Sequence, residues 1–138
     1  MLFRSKEHCR ALATSLAEMG KAPFTLDGGS TKKAREATLE TIQTRPREEE
    51  LLVIATGQYL GEGFDCPQLD TLFLAFPVSF KGRLVQYTGR LMRQYEGKTV
   101  VQVYDYADIR VPVLKRMFEK RMKTYRALGF LDKESGRV

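Results

Sequence analysis

Short apolar runs and longer stretches of helical periodicity alternate along the chain. The runs fall at residues 1–4, 23–26, 51–55, 71–76 and 99–106, and each predicts a strand. Leu51, Leu52, Val53, Ile54 and Ala55 are apolar without interruption, the mark of a strand covered on both faces in a parallel sheet. Between the runs, Cys9, Leu12, Ala13, Leu16 and Met19 recur at helical spacing behind Ser5, a candidate N-cap, and ahead of Gly20, a candidate C-terminal glycine. A second helix is expected over 32–44, capped by Ser30 or Thr31, with a thin apolar face of Ala34, Ala37 and Ile42. Residues 45–50 read as a solvated loop. A third helix is expected over 79–93, and a fourth over 112–128, with Pro112 in its first position and Leu114, Met117, Phe118, Met122, Tyr125 and Leu128 inward. Strand and helix alternating in this way predict an α/β fold, an open parallel sheet with helices on both faces. Ligands of such sheets lie beyond the carboxyl ends of the strands.

The third helix has two unlike faces. Phe80, Leu84, Tyr87 and Leu91 fall on one side; Gln86, Gly89, Arg90 and Arg93 fall on the other. Packing requires the first set only. Two arginines one turn apart suit multidentate contact with phosphate oxygens. Gly89 lets a ligand or a second backbone come close. The other unusual stretch is residues 56–67, expected as a loop leaving the carboxyl end of the central strand. Its glycines, Gly57, Gly61 and Gly63, allow close approach of backbone N–H groups; Thr56 can donate to a phosphate, and Asp65 can accept from sugar hydroxyls. Two look-alikes fail. Gly61-x-Gly63 lacks the third glycine of a dinucleotide fingerprint, because residue 66 is Cys66. Gly97-Lys98-Thr99 lacks the first glycine of a P-loop, at Met92, and leads into a strand. There is no Asp-Glu pair to hold magnesium. Arginines fit for a nucleotide without a phosphate cradle suggest half of a composite site.

Composition changes this picture little. The 138 residues suit one domain, and the net charge of +6 favours anionic partners, nucleic acid first. Cys9, Cys66 and the lone His8 do not make a zinc site by the usual spacings, and reduced thiols fit a cytoplasm. No apolar run approaches the roughly 20 residues of a membrane span. The fourth helix is basic, with Lys115, Arg116, Lys120, Arg121, Lys123 and Arg126.

Thr56, Gly61-Glu62-Gly63-Phe64-Asp65 and Pro67 together resemble motif V of superfamily 2 helicases. Gln86, Gly89, Arg90 and Arg93 resemble their motif VI, glutamine-x-x-glycine-arginine-x-x-arginine. Leu2-Phe3-Arg4-Ser5 is similar to motif IV, and the stretch from Leu26-Asp27-Gly28-Gly29 through Arg35 to the next short motif. The tail from Tyr104 to Phe130 resembles bacterial restriction-type helicases of the Rad25 branch. The resemblance implies the second, C-terminal RecA-like domain of a DNA helicase or translocase. It implies a composite ATP site in which Arg90 and Arg93 act as arginine fingers, Gln86 positions nucleotide and water, Asp65 holds the ribose, and Gly61, Glu62 and Gly63 line the nucleotide. It implies that Thr56, Ser5, Gly28 and Arg35 touch the backbone of DNA, or of RNA. Magnesium and the P-loop would belong to an N-terminal RecA-like domain of the same protein, absent from this chain, so Met1 would mark a separated half or a split gene. The fragment alone would be inactive, in a bacterial cytoplasm or nucleoid. The competing expectation is a stand-alone, non-catalytic nucleic-acid-binding or adaptor domain. A small-molecule transferase leaves the paired arginines unexplained.

Overall fold

The computed structural model describes residues 2–46, 48–61, 64–75 and 81–130, apart from the side chains of residues 2–5, 60, 61 and 81. Two compact units divide the chain, Met1–Leu69 and Asp70–Val138, and each is built on a pair of parallel strands.

The first unit runs α1 (Leu2–Glu18), β1 (Phe24–Leu26), α2 (Lys32–Gln43), β2 (Val53–Ala55), α3 (Gly57–Gly61). Parallel strands cannot be joined by a tight hairpin, and α2 supplies the crossover. The register pairs Phe24 with Val53 and Leu26 with Ala55. Leu26, Ile42, Phe64 and Cys66 form the core, with Phe24, Leu39, Val53 and Tyr59 against it. The expected strand at 1–4 is not formed, because α1 already begins at Leu2. Ser5 therefore lies inside a helix instead of capping one. Four residues without a turn signal ahead of a strongly periodic segment extend that segment more readily than they pair as a strand. Gly20 does end α1. With φ +79 it is left-handed; its N–H donates to Ala17 and that of Lys21 to Leu16, the pair of bonds of a Schellman motif. Thr31, not Ser30, caps α2, accepting from the Ala34 N–H at 3.2 Å. Ala34 and Ala37 are exposed, and the inward stripe of α2 is instead Arg35, Thr38, Leu39 and the fully buried Ile42. The loop expected at 56–67 is interrupted by α3.

The second unit runs β3 (Thr71–Leu74), α4 (Lys81–Leu91), β4 (Gln102–Asp105), α5 (Pro112–Ala127). Its register pairs Thr71 with Gln102 and Leu74 with Asp105. Leu74, Leu84 and Tyr125 are its core, with Val103, Met122 and Phe130 packed on them. α5 ends on a second Schellman motif. Gly129 has φ +89, Phe130 N–H donates to Tyr125 and Gly129 N–H to Arg126, and the Phe130 ring sits edge-on to Tyr125 at 6.0 Å.

Arg121 departs from the expected basic face of α5. It is 3% exposed and points inward. Its Nε and Nη2 donate to the two oxygens of Asp105 at 2.7 and 2.8 Å, and Tyr125 Oη donates to the same carboxylate at 2.7 Å. A bidentate fork satisfies a buried guanidinium in a way that one hydrogen bond would not. Burial, followed by the bond to Asp105, drives the Tyr125 phenol far above its ordinary pKa.

Candidate functional site

In the first unit the parallel register places the carboxyl ends of β1 and β2 side by side. The Thr56 N–H extends the ladder, donating to Leu26 at 3.2 Å, and Thr56 is itself buried at 8% exposure. Asp27-Gly28-Gly29 leaves β1 at this edge. The turn is closed locally, with Asp27 Oδ1 accepting the Gly29 N–H at 2.8 Å. Gly28 is not held in a left-handed conformation; it faces neighbours. A methyl there would lie 3.1 Å from Lys6 Cε and Nζ and 3.7 Å from Tyr59 Oη. A methyl at Gly29 would lie 3.6 Å from Arg10 Nη2.

Arg35 reaches the same place from α2, its guanidinium 4.9 Å from the centre of the Tyr59 ring. The Tyr59 N–H donates to Thr56 at 3.0 Å. An open cavity of about 230 Å³ adjoins this stack, lined by Leu26, Lys32, Arg35, Glu36, Leu39, Tyr59 and Phe64. Three of the four residues expected to touch a nucleic-acid backbone, Gly28, Arg35 and Thr56, thus gather around Tyr59. The fourth, Ser5, is in α1 one residue before Lys6. Lys6, Arg10 and Tyr59 were missed by sequence reasoning, although Lys6 and Arg10 stand at i and i+4 on one helix and so share a face. Cys9, on the neighbouring face of α1, is buried, and burial followed by the Asp27 charge raises its thiol pKa.

Of the residues expected against a nucleotide, Gly61 closes α3. Glu62 and Gly63 lie outside the described residues. Asp65 is half-buried between buried Phe64 and Cys66.

In the second unit, α4 has the two faces expected of it. Leu84, Tyr87, Thr88 and Leu91 are all buried to 5% exposure or less. Gln86 and Gly89 are exposed and Arg90 half-buried, while Arg93, two residues past the helix end, is exposed. Phe80 lies outside the described residues. Thr88 is fully buried because its hydroxyl donates back to Leu84 O at 2.8 Å. Burial raises the Tyr87 phenol pKa, against the opposing charge of Arg83. Among the described residues, a methyl at Gly89 would meet nothing within 4 Å.

The backbone at Arg93 is fixed from two sides. Its N–H donates to Arg90 O at 3.3 Å, and its carbonyl accepts from Lys98 Nζ at 2.8 Å. Lys98 also donates to Leu91 O. A cation on the last carbonyls of a helix satisfies orphan acceptors and opposes the negative end of its dipole. Gly97 makes this possible, with φ +82 in a turn closed by Lys98 N–H to Tyr95 O at 3.0 Å. The glycine-lysine pair that imitates a P-loop is therefore a helix cap. Among the described residues no group of three or more His, Cys, Asp or Glu could hold a metal ion. Among them also, no helix is long and apolar enough to cross a membrane.

This is the α/β fold of the C-terminal RecA-like domain of helicases. The C-terminal domain of the DEAD-box protein Dbp5 superposes with a TM-score of 0.65 at 18% identity, over 92% of this chain and 67% of that one. The C-terminal part of the Fun30 ATPase domain gives 0.60 at 12% identity over 78% of this chain, which spans only 34% of that structure. No family model matches the sequence. Uncharacterized protein 108L of Invertebrate iridescent virus 3 is 33% identical over 81 residues, 59% of this chain and 73% of that protein. The chain belongs to the same family as that viral protein.

Proposed function

We propose that this chain is the second motor domain of an ATP-dependent superfamily 2 helicase or translocase. The observation that carries the reading is the split of α4. Among the described residues its buried face is Leu84, Tyr87, Thr88 and Leu91, while Gln86 and Gly89 are exposed, Arg90 is half-buried and Arg93, just past its end, is exposed. Arg90 and Arg93 donate to the γ-phosphate oxygens of a nucleotide held mainly by a first RecA-like domain, and offset the charge that builds there as the bond to the leaving group breaks. Gln86 orients the attacking water. Asp65 accepts from the ribose hydroxyls, and the motif resemblance assigns Gly61, Glu62 and Gly63 to the same nucleotide. What ATP supplies is the free energy of phosphoryl transfer; its magnesium belongs to the first domain.

In the first unit, Arg35 on the Tyr59 ring, Lys6 and Arg10 beside the Gly28-Gly29 turn, and Thr56 hold a nucleic-acid backbone. The cations meet phosphates, and the small turn lets the strand come close. Such contacts track a strand without reading its bases.

The test is ATP turnover by the full protein with single-stranded DNA, duplex DNA and RNA. Arg90→Ala and Arg93→Ala should each lower turnover by about a thousandfold with nucleotide affinity little changed. Arg90→Lys should not rescue, since an ammonium lacks the planar fork. Turnover untouched in both alanine variants refutes the finger assignment and leaves a non-catalytic adaptor as the reading.

A further inference from the structure

The outward face of α5 carries charge that neither the core nor the motor reading uses. Lys115, Arg116, Glu119, Lys120, Lys123 and Arg126 are all exposed. At 3.6 residues per turn they fall within about 140° of the helix circumference and along about 16 Å of its axis. Five cations against one carboxylate make a net +4, and the whole chain carries only +6, so most of the excess sits on one helix face. The rotation of α5 about its axis is fixed by the fork of Arg121 on Asp105 and the Tyr125 bond to the same carboxylate. The basic face is therefore presented as a rigid surface and cannot roll away.

We propose that this face docks on a nucleic-acid duplex, independently of the ATP site. The breadth of the charge favours two strands. Lys115 and Arg126 line one flank of the helix and Arg116 and Lys120 the other, so the two rows can meet the two walls of a groove wide enough for a helix. A single strand would engage one row only. Duplex presents one phosphate charge per about 1.7 Å, about ten over the length of this face. A membrane surface is disfavoured, because an interfacial helix inserts an apolar side. The apolar side of α5 is already spent on the core, through Tyr125 and Met122.

The experiment is equilibrium binding of the chain to a fluorescent 20-base-pair duplex across a salt series. All five cations contacting phosphate would contribute about −4.5 to the slope of log K against log salt. Replacing Lys115, Lys120 and Lys123 together with alanine, at exposed positions, should flatten the slope by about 3 and weaken binding more than tenfold, with the circular dichroism spectrum unchanged. The wild-type chain should also bind duplex more tightly than single strand of the same length. An unchanged slope overturns the proposal. So does displacement of the duplex by polyglutamate at equal charge concentration, which would indicate an acidic protein partner, or equal retention on phosphatidylserine vesicles. Arg35→Ala, in the surface proposed for the other unit, should by itself lower the slope by about 1, and the triple variant should remove about 3 more in that background as well. A loss with Arg35→Ala but not with the triple variant would sink this surface and spare the motor reading.

Discussion

Gly89→Ala separates a glycine kept for packing from one kept for a ligand. Glycine within a helix costs roughly 0.5–1 kcal/mol against alanine. Gly89 stands near the end of α4, where fraying reduces the effect, so about 0.6 kcal/mol is expected. Among the described residues nothing opposes the change, because the added methyl has open space for 4 Å around it. For a unit of this size the gain corresponds to a rise in melting temperature of about 2–5 °C. If a nucleotide approaches this flank, the same methyl occupies the space the ligand needs. Overpacking by a methyl costs about 1–3 kcal/mol, which is about a fivefold to hundredfold fall in turnover. Thermal unfolding by circular dichroism reads the first quantity, and nucleic-acid-stimulated ATP hydrolysis by the full protein the second. The expected result is a more stable and slower protein. A variant that is more stable and equally active would refute the approach of a ligand at Gly89. A less stable one would mean that α4 contacts something at this point.

Further outcomes follow from the same structure. Asp105→Asn should destabilise the second unit by about 3–5 kcal/mol, because it leaves a buried guanidinium without a counter-charge. Asp105→Leu with Arg121→Met should recover most of that loss, and strictly additive effects in urea titrations followed by hydrogen exchange in α5 would contradict the pairing. Lys98→Ala removes the donor to the Leu91 and Arg93 carbonyls; it should cost about 1 kcal/mol and lower kcat more than it raises KM, as expected if Lys98 positions Arg93. The pH dependence is alkaline. The Cys9 thiol and the Tyr87 and Tyr125 phenols are all raised, chiefly by burial, so above about pH 8.5 for the thiol and about 10 for the phenols the folded state holds protons that the unfolded state has lost. Stability should be full below pH 8.5 and fall progressively above it, less steeply past pH 10 in Tyr125→Phe; a urea midpoint flat to pH 11 would count against it.

What could be read from the sequence depended on whether the signal was local. The faces of α4 were legible because Leu84, Tyr87 and Leu91 repeat within one helix, and periodicity reports on the segment that carries it. The glycine that ends α1 was legible for the same reason: a Schellman motif is written in six consecutive residues. Residues 1–4 misled because a short apolar run has no period long enough to tell strand from helix. Ala34 and Ala37 misled because alanine is apolar without being large enough to demand burial, and Leu39 with Ile42 set the face of α2. Arg121 could not have been placed by any local rule. On a helical wheel it sits with Phe118 and Tyr125, on the apolar side, and there an arginine reads as an error until a carboxylate is found for it. That carboxylate, Asp105, lies 16 residues away on another element. Tyr59 and Lys6 were hidden in the same way, since each comes to Gly28 from a different element. Charge on α5 therefore divides into one cation that the structure turns inward and five that it leaves outward. The inward one holds the helix still, which is the condition under which the other five can act together as a surface.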